Sequence, residues 1–218
     1  MSALVRYALA LLGRGQGYLA PVLLFATGLV VLTTNDRGPL AGTYAACALV
    51  LFASQAWLTA ALVNAEDDTQ HALTVVAAGS SRRVLVAQVL AAAAGCAALT
   101  GAGLGYPLVA GQHTVSAAAV GVGALAQLIC GAAGIAVGLL CSRLVVRRTG
   151  YAVVTGLGLV GVAVVVPGLP PVGPTVSLLS RDLPPERMFG SLAALGAVAI
   201  VLLVASAVAA HVAAARQD

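Results

Sequence analysis

The chain has 218 residues, of which 61% are hydrophobic and 8% charged, and its mean hydropathy is +1.03. A soluble domain carries about a quarter charged residues, so this composition excludes an ordinary water-soluble fold and points to a membrane protein. The formal charge of +4 comes from dispersed arginines without the clustered basic face that nucleic acid requires, and nucleic-acid binding is excluded with it.

Residues 2–12, SALVRYALALL, are too short to cross a bilayer but apolar enough to lie at its surface, with Arg6 and Arg14 reaching lipid phosphates. An entry helix along the inner leaflet is expected over residues 1–14. Crossing roughly 30 Å of hydrocarbon takes about 20 helical residues. Six apolar runs meet that need: 17–35, 40–64, 84–106, 115–141, 149–167 and 188–213. Every charged residue falls outside them. No clear small-residue cleavage site follows the first run, which reads as an anchor and not as a cleaved signal.

Between the first two runs, NDRGPL is a tight outer turn built from turn-forming residues, so these spans form a hairpin. GYPLVAGQHTVS is a short outer connection and SRLVVRR a short inner one. Beyond the fifth run, Pro167, Pro170, Pro171, Pro174, Pro184 and Pro185 forbid a continuous helix. They leave room for a short helical piece around Thr175 to Ser180, which can dip into the outer leaflet as a re-entrant or interfacial turn where protein buries its backbone.

All 11 basic residues are arginines. With the N-terminus inside, Arg6, Arg14, Arg82, Arg83, Arg143, Arg147, Arg148 and Arg216 are cytoplasmic, and Arg37, Arg181 and Arg187 are outside. That asymmetry satisfies the positive-inside rule. The expectation is an all-α integral membrane protein, one domain over residues 1–218, multi-pass in the cell membrane (a bacterial inner membrane) with both termini cytoplasmic. Cys47, Cys96, Cys130 and Cys141 lie in or at the ends of the runs and read as small apolar packing residues. GAGLG at 101–105 and Gly134-x-x-x-Gly138 allow close helix approach, a packing signal of low specificity.

The runs hold no acidic residue and no lysine, and their one histidine is His211 near the end of the last. His71, His113 and His211 sit in or beside loops or near the last inner end, with no metal-site spacing. No catalytic, cofactor-binding or metal-binding residue is expected. Ion coupling through a buried carboxylate is disfavoured. The phosphate-binding loop of ATPases needs a lysine that this chain lacks, so ATP-driven work would require a separate subunit. Neutral polar residues inside the runs include Tyr44, Ser54, Gln55, Trp57, Thr59, Thr100, Gln127 and Thr155. One reading is interhelical hydrogen bonding, about 0.6 kcal/mol each. The other is a weakly polar path for an amphipathic substrate, with Tyr44, Gln55, Thr59 and Gln127 as candidates.

The stretch NAEDDTQHALTVVAAGSSRR, residues 64–83, concentrates charge between the second and third runs. Glu66, Asp67 and Asp68 suit the positive end of a short helix running to about Ala78, which Asp67 or Asp68 can cap. Gly79 is a natural terminator, and Arg82 and Arg83 mark the return to the membrane. Leu73, Val76 and Ala77 share a face framed by Gln70, His71 and Thr74, a small apolar surface that a partner could grip. The plainer alternative is a solvated loop with snorkelling arginines.

An acidic run, a short amphipathic helix, a small-residue break, SRR and a long apolar span together resemble the coupling-helix region of type-2 ABC exporter permeases. In that family an entry helix lies on the inner leaflet, six spans follow, a cytoplasmic coupling helix between spans two and three docks on the ATPase, and short re-entrant helices precede the last span. The resemblance covers nearly the whole chain. It departs at Gly79-Ser80, where the family often has proline, and at Gln88, where it often has lysine. It implies a membrane-spanning permease with no enzymatic activity of its own. ATP and Mg would be bound by two copies of a cytoplasmic ABC ATPase, and a second permease, identical or homologous, would complete the assembly in membrane lipid. It implies that Glu66, Asp67, Asp68, Gln70, His71, Leu73, Val76 and Ala77 contact the ATPase. A permease of the haem-exporter type is similar in length, and a membrane scaffold without an ATPase partner is the reading outside transport.

Overall fold

Alanine, leucine, valine and glycine dominate every long segment, and in hydrocarbon a backbone with no water must satisfy its own hydrogen bonds, which a helix does within one segment. The computed structural model describes residues 1–33, 39–110, 116–142, 155–156, 158–163, 166, 168–181 and 184–215, and among these the secondary structure is all-helical. Helix α1 spans Ser2–Arg14, α2 Leu19–Thr33, α3 Leu40–Val63, α4 Asp68–Ala78, α5 Ser81–Ala110, α6 Ala117–Leu140, α7 Val172–Leu179 and α8 Pro185–Ala215. Residues 158–163 are also helical.

Four helices are long and apolar enough to cross a membrane: Leu40–Val63, Ser81–Ala110, Ala117–Leu140 and Glu186–Ala214. They match the expected second, third, fourth and sixth runs. Helix α5 begins three residues before the apolar run, because Ser81, Arg82 and Arg83 end the hydrophobicity but not the backbone ladder. Helix α2 has 15 residues, about 22 Å of rise, and falls short of a full crossing. With α1 it forms a pair bent by 79° at Gly15–Tyr18 that passes the length and composition test as one broken span. The expected fifth run, 149–167, lies mostly outside the described residues, as do most of NDRGPL, residues 111–115 and 143–148, and the last three residues. Within the fifth run, Ala163 is buried with Phe52, Cys130, Ala133 and Val172. The helical piece expected near Thr175 is α7, held by its Thr175 hydroxyl donating to Pro171 O at 2.6 Å.

The bundle is built around α3, whose contacts fix the directions of its neighbours. Helix α2 runs antiparallel to α3: a Cβ on Gly17 would meet Ala61 and one on Gly28 would meet Val50. Helix α5 is antiparallel too, with Gln55 bonded to Ala92 and Tyr44 to Leu104. Helix α6 runs parallel to α3, since Gly123 abuts the Tyr44 ring while Gly134 and Gly138 abut Phe52 O and Ala56 O, 2.7 and 2.5 Å from a notional Cβ. These glycines bring two backbones together where any side chain would separate them. Of the GAGLG motif, Gly103 is the crowded member, with a notional Cβ 2.6 Å from Gln127 Oε1, whereas Gly101 and Gly105 face open space. Helix α8 follows α6 in direction, pairing Phe189 with Gly121 and Gly196 with Ile129.

One end of the bundle therefore collects α1, the end of α3, α4, the start of α5 and the end of α8. Leu12, Leu62, Val63 and Leu85 pack together there. The other end joins Leu40, Tyr44, Ala119, Leu179, Met188 and Leu192. All four cysteines are buried and none forms a disulfide, in keeping with a packing role.

Candidate functional site

The chain leaves α3 at Val63 and within four residues begins α4, whose start and stop are set by the residue types present. The Gln70 amide donates to Asp67 Oδ1 at 2.7 Å, capping the helix with an acid at its positive end. At the other end Gly79 takes φ +71°, left-handed backbone that favours glycine. Arg83 Nη1 donates to Ala78 O at 3.2 Å, placing a cation against the last carbonyls of the helix.

Glu66 sits just ahead of the cap and turns inward, 5% exposed. Its Oε2 lies 2.9 Å from His71 Nδ1, and its Oε1 accepts from the Thr74 hydroxyl at 3.2 Å. One carboxylate thus clasps two successive turns of α4 from beneath. Tyr7 of α1, Leu62 of α3 and Gln88 of α5 share the cleft in which Glu66 and Thr74 lie, so the clasp sits against three other helices. The opposite face looks away from the protein: Leu73 is 67% exposed and Val76 80%. Asp67, Gln70 and Ala77 are exposed beside them, and His71 is intermediate. The side chain of Asp68 lies outside the described residues. The described members of the sequence-derived set are therefore brought together at one short helix but divided between two faces, Glu66 inward and the others outward or lateral.

The second set, Tyr44, Gln55, Thr59 and Gln127, is fully buried at the meeting of α3, α5 and α6. The Tyr44 hydroxyl donates to Leu104 O at 3.4 Å, Gln55 Nε2 to Ala92 O at 2.8 Å and the Thr59 hydroxyl to Gln55 O at 2.8 Å. These bonds hold helices to one another or fold back on their own helix. Gln127 differs: among the described residues neither its Nε2 nor its Oε1 has a partner, and Gln55 Oε1 and Ser54 Oγ are likewise unpaired there. An unpaired buried amide in hydrocarbon costs several kcal/mol.

Sequence reasoning passed over a polar link at the α4 end of the bundle. Arg82 Nε donates to His211 Nε2 at 3.1 Å, joining the start of α5 to the end of α8 across 129 positions. Its only sequence signal was the shared expectation that both residues lie at inner ends. Among the described residues no three His, Cys, Asp or Glu side chains are grouped to hold a metal. Comparison of the chain with family models, with curated proteins and with solved structures gave no match.

Proposed function

We propose that the chain is the membrane-spanning permease of an ATP-driven exporter of the ABC type, forming the substrate path and coupling to a separate cytoplasmic ATPase. The observation that carries this reading is α4. It is a capped, short helix between two long apolar helices, clasped to the bundle by Glu66 and presenting Leu73 and Val76 outward. A solvated loop has no reason to order itself so that its two largest apolar side chains face away from the core, whereas a docking helix must.

Direction supports the six-span topology. Helix α6 ends where α8 also ends, and α8 begins at the opposite end, so the chain between them has to return across the bundle. Counting the bent α1–α2 pair as the first crossing gives six, with Arg6, Arg14, Arg82 and Arg83 inside in accord with the positive-inside rule. The amphipathic character that the polar residues give the bundle interior suits a hydrophobic or amphipathic cargo. The assembly pairs two permeases with two ATPase subunits.

The test is whether a neighbouring reading frame encodes a soluble ATPase with a lysine-containing phosphate loop and whether that protein co-purifies with the chain, with export assayed in parallel. Truncating Leu73 and Val76 to Ala removes about 1–3 kcal/mol of docking through lost burial and disturbs nothing within the chain. Loss of the ATPase with normal membrane insertion is the expected result. Retention of the ATPase with undiminished export by this variant refutes the reading.

A further inference from the structure

Among the described residues the side chains of His211 and Gln88, whose Nδ1 and Oε1 are buried without a partner, line one cleft where the end of α8 meets the start of α5. His71 of α4 and Ser81 lie in the same wall. Because His211 Nε2 accepts from Arg82, a neutral ring carries its proton on Nδ1, making that atom a donor. Gln88 Oε1 is an acceptor. His71, donating through Nδ1 to Glu66, presents a lone pair at its Nε2. The cleft has room for about one water-sized sphere. A water accepts from His211 and donates to Gln88 and to His71, which gives it the three hydrogen bonds usual for a buried water.

We propose that an ordered water occupies this cleft and ties α8 to α5 and, through His71, to α4. The Arg82–His211 bond fixes the ring tautomer that makes the site complementary to water, so Arg82 is a positioning residue for it. The consequence is a joint at which α8 and α5 are held by the Arg82–His211 bond and by the water together. The joint stands whether or not an ATPase docks on α4, and its test uses the purified full-length chain alone.

The measurement is Tm in detergent for four variants. His211→Phe and Gln88→Leu each strand one polar group and lower Tm by roughly 2–4 °C. The double variant strands neither of the two and falls no further than His211→Phe, which has already lost the acceptor for Arg82. His211→Gln keeps an acceptor for Arg82 and a donor for the water, and holds Tm within about 1 °C of the parent. Additive losses in the double variant, or a loss in His211→Gln equal to that in His211→Phe, overturn the proposal.

Discussion

Gly138 on α6 faces Thr59 on α3 so closely that a side chain at Gly138 would place its Cβ 2.6 Å from the Cβ of Thr59 and 2.5 Å from Ala56 O. Backbone stands on both sides of this contact, so neither partner can swing aside. Gly138→Ala is therefore expected to destabilise the bundle by about 1–3 kcal/mol. Gly101→Ala, on a helix face that meets nothing within 4 Å, should instead be neutral or gain up to about 1 kcal/mol from helix propensity. Detergent unfolding of the pair checks the contrast, and equal effects would remove the role assigned to the α3–α6 crossing.

Removing the Glu66 carboxylate should loosen α4 without unfolding the membrane helices. Glu66→Ala deletes the bonds to His71 and Thr74 together and lowers the free energy of local opening by about 1–3 kcal/mol. Hydrogen exchange of the amides of residues 68–78 reads this directly, while α3 and α6 amides stay protected. Exchange unchanged in α4 would show that the clasp holds nothing.

Gln127 offers a way to separate packing from transport. Its amide has no partner and is fully buried, so Gln127→Leu should raise stability by about 1–2 kcal/mol by relieving a buried polar group. If the amide also touches cargo in another conformation of the bundle, export falls in the same variant although the protein is more stable. Higher Tm with unaltered export removes Gln127 from the path.

Topology is checked with single cysteines at Ser80 and Ser177 in a background with Cys47, Cys96, Cys130 and Cys141 replaced. An impermeant thiol reagent applied to intact cells should label position 177 and leave position 80 unlabelled. The reverse pattern inverts the bundle in the membrane and places α4 outside, where no cytoplasmic ATPase can reach it.

Much of the fold was legible because apolar runs and helices end together in a membrane protein. Helix α3 was expected at 40–64 and spans Leu40–Val63, and α6 was expected at 115–141 and spans Ala117–Leu140. Short-range chemistry was equally readable: Asp67 caps α4 and Gly79 stops it, since both signals act within a few residues. What periodicity did not reveal is which way a side chain turns once its helix docks. Glu66 was grouped with Asp67 and Asp68 as an acid at the start of the helix, yet it sits one position before the cap, in a bend, and points into the protein. The parallel run of α3 and α6 and the Arg82–His211 bond depend on contacts between distant segments, for which one sequence carries no register.

Helix α5 is a single element of 30 residues, about 45 Å long against roughly 30 Å of hydrocarbon. Accommodating that excess by leaning alone would take an inclination of about 48°, beyond the ~0–40° seen for membrane helices. Part of α5 therefore stands clear of the hydrocarbon, and its polar first turn, Ser81–Arg83, is the part suited to water. Helix α8, with 31 residues, has the same excess, and its His211 end meets α5 at Arg82. The excess of both helices therefore falls to water together, at the end of the bundle where Arg82 and His211 meet and α4 packs on α5.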